Sequence, residues 1–206
     1  MVSDDRAQAY TLEGFIGSIL ILTAVLFALQ SVVITPTTAG TVDRDARDQV
    51  RIEANDMLTL SAESGNLSKM IRYWDTSTSP GQFNASDGRS LGYSSDIPPK
   101  SAPRGLFVLL EDTFEDKNGY NVILTYQNTT GAPQGGNLVM VRNGFSTESG
   151  VVASYTITLY DDQRLTADDD RTLAECEAES DCNYPIPDAY DDSPVYNVVV
   201  VKVIVW

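Results

Sequence analysis

The chain of 206 residues carries 29 acidic against 14 basic side chains, a formal net charge of −15, with 42% apolar residues and no histidine. The charge argues against nucleic acid, whose phosphates would be repelled, and the missing histidine removes Ser-His-Asp and Cys-His catalysis and the commonest zinc ligand. Ten tyrosines and many branched apolar residues exclude a disordered acidic tail, which leaves a folded domain with an acidic surface of the kind screened at high salt, a halophile signature.

Residues 1–7 form a short polar leader with Asp4, Asp5 and Arg6. From Phe15 to Ile34 there are 20 residues without a charge. As a helix they span about 30 Å, the thickness of a bilayer's hydrocarbon core. Ser18, Thr23, Gln30 and Ser31 are the polar residues within it, and a hydroxyl on a helix bonds back to its own backbone at little cost. Glu13 stands at the mouth of this helix. A carboxylate there must be protonated or paired, which marks it as functional. Residues 8–35 therefore read as a transmembrane helix that ends at Thr35-Pro36. Residues 36–40 read as a linker, and 41–206 as an extracellular head, with the N-terminus on the cytoplasmic side. A secretory signal cut after Thr37-Thr38-Ala39 is the competing reading.

The head opens with a stalk helix over 42–62, capped by Thr41 or Asp43. Val42, Ala46, Val50, Ala54, Met57 and Leu58 make its apolar stripe. The stripe packs on the head's own sheet or on neighbouring copies. A short helix follows over Leu67–Trp74, then a surface loop over Thr76–Ser101 rich in Ser, Gly, Pro and Asp. Pro103 opens another helix bearing Leu106, Phe107, Leu110 and Phe114, closed at Asn118-Gly119, with a strand over Leu106–Leu110 as competitor. The pattern then turns to period two, predicting strands at Tyr120–Tyr126, Leu138–Arg142, Val151–Tyr160 and Val195–Trp206. Asn143-Gly144 is a turn signal, and Asp161–Pro194 a long acidic excursion. The fold class is α+β: a transmembrane stalk helix, then helices and an antiparallel sheet of about four strands.

The segment Arg6-Ala7-Gln8-Ala9-Tyr10-Thr11-Leu12-Glu13, leading into an apolar helix, resembles the class III signal of type IV pilins and their relatives. With the acidic surface, the chain is similar to a haloarchaeal pilin-like protein. The resemblance implies that a prepilin peptidase recognises Arg6, Ala7 and Gln8 and cuts before Gln8. The helix then stays on the subunit and packs in a filament core. A bacterial pilin has its Glu five residues into the mature chain, whereas Glu13 is sixth if Gln8 is first. The implied role of Gln8 and Glu13 is assembly, the new amino terminus of one copy pairing with the carboxylate of another.

Cys176 and Cys182 predict a small disulfide loop if the head lies outside the cell, against two unpaired core thiols. Asn66, Asn84 and Asn128 begin Asn-x-Ser/Thr sequons and are candidate N-glycan acceptors, Asn84 in the long loop foremost. The acid clusters Asp161-Asp162, Asp168-Asp169-Asp170 and Asp191-Asp192 lack the spacing and Gly turn of a calcium loop and read as solvated surface. No cofactor, metal site or catalytic set is expected. The expected function is a structural pilin-like subunit, a minor or tip component. Its partners are the membrane, prepilin peptidase and other pilin-like subunits. The alternative is a membrane-anchored extracellular binding module acting as a monomer.

Overall fold

The computed structural model describes residues 3–30, 38–86, 92–93, 102–114, 119–128, 135–144 and 150–206. It divides into two units, Met1–Arg44 and Asp45–Trp206.

In the first unit, α1 is one helix over Ser3–Gln30. Its side chains are described from Leu12 to Phe27. Ten large apolar ones, from Leu12 to Phe27, are between 49% and 74% exposed. They occupy every side of the helix and not one stripe. The hydroxyls bond back as expected: Ser18 Oγ donates to the Gly14 carbonyl at 2.6 Å, and Thr23 Oγ1 to that of Ile19 at 2.7 Å. Among the described residues no helix is long and apolar enough to cross a membrane. Between Glu13 and the last described side chain, Phe27, an apolar helix reaches only about 21 Å. Ser31–Ile34 and Thr35-Pro36 lie outside the described residues.

The second unit takes in α2 (Thr38–Glu63) from Asp45 onward. Because α2 starts at Thr38, the last residues of the expected linker, Thr38–Gly40, are helical. The C-terminal part of its stripe packs in the chain's own core, as one of the two readings expects. Ala54, Met57 and Leu58 are buried in the core, while Ala46 is exposed. The chain then turns at Gly65, whose φ of 71° suits a residue without Cβ, into α3 (Asn66–Ile71). The short helix ends there, before Trp74, which instead starts β1 (Trp74–Asp75), paired antiparallel with β2 (Gln82–Phe83). This hairpin corrects the expectation of a plain loop from Thr76.

α4 (Gly105–Phe114) confirms the helix after Pro103 over the competing strand, with Leu106, Phe107, Leu110 and Phe114 buried. The expected stop residue Asn118 lies outside the described residues. The strands are β3 (Tyr120–Tyr126), β4 (Gly136–Arg142), β5 (Val151–Tyr160) and, after α5 (Leu173–Ala178), β6 (Val195–Val205). They form one antiparallel sheet in the order β4-β3-β6-β5. The turn at Asn143-Gly144 therefore does not join neighbours, because β3 and β6 lie between β4 and β5.

In β6, Val199, Val201, Val203 and Val205 are buried, while Val198, Val200, Lys202 and Ile204 are half-exposed. The valine run thus serves a sheet covered on one face. Buried residues of that face join those of α2, α3, α4 and α5 in one core. Trp74 sits in it, edge-on to Phe83 at 5.0 Å, with Nε1 donating to the Asn183 carbonyl at 2.9 Å. The architecture is α+β, as the sequence predicts.

Candidate functional site

On the N-terminal unit, Arg6, Ala7 and Gln8 fall within α1, and their side chains lie outside the described residues. Glu13 is exposed, and a Cβ added at Gly14 or Gly17 would meet only open space. One side of α1 near Glu13 is therefore low enough for another backbone to approach closely.

On the head, the end of β1 faces the start of the acidic excursion across a cleft of about 400 Å³. Trp74 to Ser77 line it from one segment and Asp168 to Arg171 from the other, with Asn84 also in the lining. Local chemistry shapes each wall. Asp75 Oδ1 accepts from the Ser77 N–H at 2.8 Å and from its hydroxyl at 2.6 Å, which folds the chain back at the end of β1. Opposite, Asp169 accepts from Arg171 Nη2 at 2.6 Å and Nε at 3.0 Å, and from the Arg171 N–H at 3.0 Å. Thr76 Oγ1 donates to Asp169 Oδ2 at 2.9 Å and ties the walls together.

Arg171 Nη1 also reaches Glu179 at 2.7 Å and Asp181 at 2.9 Å, both in the loop closed by the cysteines. One guanidinium thus pairs with carboxylates from three positions. Its hydrogen bonds hold the Asp169 carboxyl down at about 2, and those of Asp169 and then Glu179 push the Arg171 pKa up. Cys176 and Cys182 are bonded, with Cα atoms 5.1 Å apart. Thr172 caps α5: its hydroxyl accepts from the Glu175 N–H at 3.2 Å, while the Glu175 carboxylate accepts from the Thr172 N–H at 2.8 Å. Those bonds lower the Glu175 pKa. Asp161 is the opposite case. Burial, then Asp188 and Asp162, raise its pKa, and Oδ1 has no hydrogen-bond partner.

The three sequons differ in access. Asn128 is exposed just beyond β3. Asn84 is half-buried, with Nδ2 aimed at Asp168 Oδ2 at 3.5 Å. Asn66 does not cap α3, since Gly65 holds that position without a side-chain bond. It is half-buried with Nδ2 donating to Ser64 Oγ at 2.9 Å, and it fills the space that a Cβ at Gly105 would take.

Among the described residues no group of three or more His, Cys, Asp or Glu is placed to hold a metal ion. The cleft offers carboxylate and amide acceptors, and its one cation is already engaged. In the sequence Asp168-Asp169-Asp170 reads only as surface, and Arg171 is not among the expected site residues. The signals available were a lone Arg after three acids and the Thr172-x-x-Glu175 box.

One family model covers residues 6–205, nearly the whole chain, and describes a family of unknown function, DUF7288. The chain belongs to the DUF7288 family. The match takes in α1 and the head together, so in DUF7288 the apolar helix and the α+β domain form one unit of description. No curated protein and no solved structure matches.

Proposed function

We propose that this DUF7288 protein is a structural subunit, pilin-like, held in the membrane and assembled with sister subunits through α1. The observation that supports the reading is the apolar coat of α1. Ten large side chains around the whole circumference are about half or more exposed. A helix apolar on all sides belongs in lipid or among other helices. The uncharged run continues in the sequence to Ile34, long enough to span. The head then lies outside the cell, where the Cys176–Cys182 bond persists. Glu13 is the partner for a neighbouring copy's amino terminus at Gln8, and Gly14 and Gly17 let the helices close on it. The competing reading, a lone anchor carrying a binding module, gives Glu13 no role.

The test is Glu13→Ala in the full chain, extracted from membranes in mild detergent. Wild type is expected in high-mass assemblies and the variant mainly as monomer. Unchanged assembly of the variant would contradict the charge-pairing role.

A further inference from the structure

The two edges of the head's sheet are treated differently. At the β4 edge the chain covers itself: the Tyr93 N–H donates to the Met140 carbonyl and the Arg142 N–H to the Tyr93 carbonyl, each at 2.8 Å. Gly92 permits that approach, since a Cβ there would run into the Val139 carbonyl. At the other edge is β5, ten residues long and paired only with β6 among the described residues. An antiparallel edge strand turns both N–H and C=O outward at every second residue. Such edges are usually blunted with a charge, a proline or a bulge in the edge strand. β5 has no charged residue, Pro or Gly, in a chain of net charge −15. Its one register shift, at Leu159/Tyr160, places the extra residue on β6.

The pattern of β5 is symmetric about Thr156. Val152 and Tyr160, 48% and 43% exposed, are its large exposed apolar residues and stand four positions to either side. Ser154 and Thr158 are the hydroxyl residues two positions away. On the covered face, half-buried Tyr155 and Ile157 flank the same point, then buried Ala153 and Leu159. We propose that β5 is a self-complementary edge on which a second copy of this chain docks antiparallel about Thr156, joining two four-stranded sheets into one.

In that register Val152 meets the second copy's Tyr160 twice over. Ser154 meets Thr158, Tyr155 meets Ile157, and Ala153 meets Leu159. From Val152 to Tyr160 every pair is apolar with apolar or hydroxyl with hydroxyl, the matches that stabilise cross-strand neighbours, and only Val151 at each end faces a polar residue, the second copy's Asp161. Slipping by two residues would set Val152 against Thr158 and break the match. The contact is isologous and closes at two copies. A neutral strand also lets two strongly acidic heads approach without facing like charges at the seam. The seam is short, so it belongs among small, reversible interfaces formed by strand addition.

The test is cysteine cross-linking of the full chain in detergent at molar salt, because residues directly opposite lie about 5 Å apart at Cβ. Thr156→Cys is expected to give a covalent homodimer. A mixture of Ser154→Cys and Thr158→Cys chains is expected to give the heterodimer, and Val152→Cys alone none. Thr156→Lys, which sets two like charges face to face, is expected to weaken the dimer at least tenfold in sedimentation, while the far-UV circular dichroism spectrum stays that of the folded chain. If Thr156→Cys links no better than Val152→Cys, or links to a different protein, the proposal fails. The interface does not use Glu13 or α1, so its failure and failure of the assembly reading appear in different variants.

Discussion

Arg171 shows how an acidic protein tolerates its own acids. The guanidinium binds Asp169 through both Nε and Nη2 and spends Nη1 on Glu179 and Asp181. The side chains of Arg171 and Asp169 are 23% and 15% exposed, so the pair is partly withdrawn from solvent. A partly buried pair is screened by salt much less than an exposed one, so molar salt is expected to leave it largely intact. The pH dependence follows from the Asp169 carboxyl, held at about 2 in the folded chain against about 3.9 in an unfolded one. A depressed carboxyl adds stability above the unfolded value, and that stability is lost as pH falls toward the folded value. Melting of wild type and Asp169→Asn in parallel is therefore expected to show a gap of a few degrees from pH 7 to about 4 that closes by pH 2. A gap that persists at pH 2 would mean that the charge is not what the site contributes.

At the scale of elements, α5 is a helix of six residues that depends on its ends. Thr172→Ala removes one half of its capping box and is expected to cost about 1 kcal/mol. Opening the Cys176–Cys182 loop by reduction is expected to cost about 2 kcal/mol. Each kcal/mol should read as about 2–4 °C in the melting temperature of a domain this size. No change on reduction would show that the capping box and Arg171 hold α5 and the loop without the disulfide. β3 to β6 are legible in the sequence because alternating side chains face a core on one side, as Ala153, Tyr155, Ile157 and Leu159 do in β5. The β1–β2 hairpin is not, because strands of two residues carry no period. α5 had a readable cap in Thr172-x-x-Glu175 but only two buried residues, Leu173 and Cys176, behind it.

For the whole molecule, the sequence shows a helix apolar all round and a separate α+β head, but not the cleft. Its walls come from Trp74–Ser77 and Asp168–Arg171, and Thr76 meets Asp169 across 93 positions of chain. A contact between residues so far apart has no local signal. The sheet's unmatched edges are hidden for the same reason: β5 reads like any half-buried strand until the order β4-β3-β6-β5 places it outside. The proposal that matters most is that α1 is kept on the mature chain and carries Glu13 into contact with sister helices. Intact mass and N-terminal sequencing of the protein from the membrane fraction test it most directly. Loss of residues 1–7, with Gln8 first and α1 retained, is the expected result; an intact Met1, or a chain that begins after Ala39, would overturn the proposal.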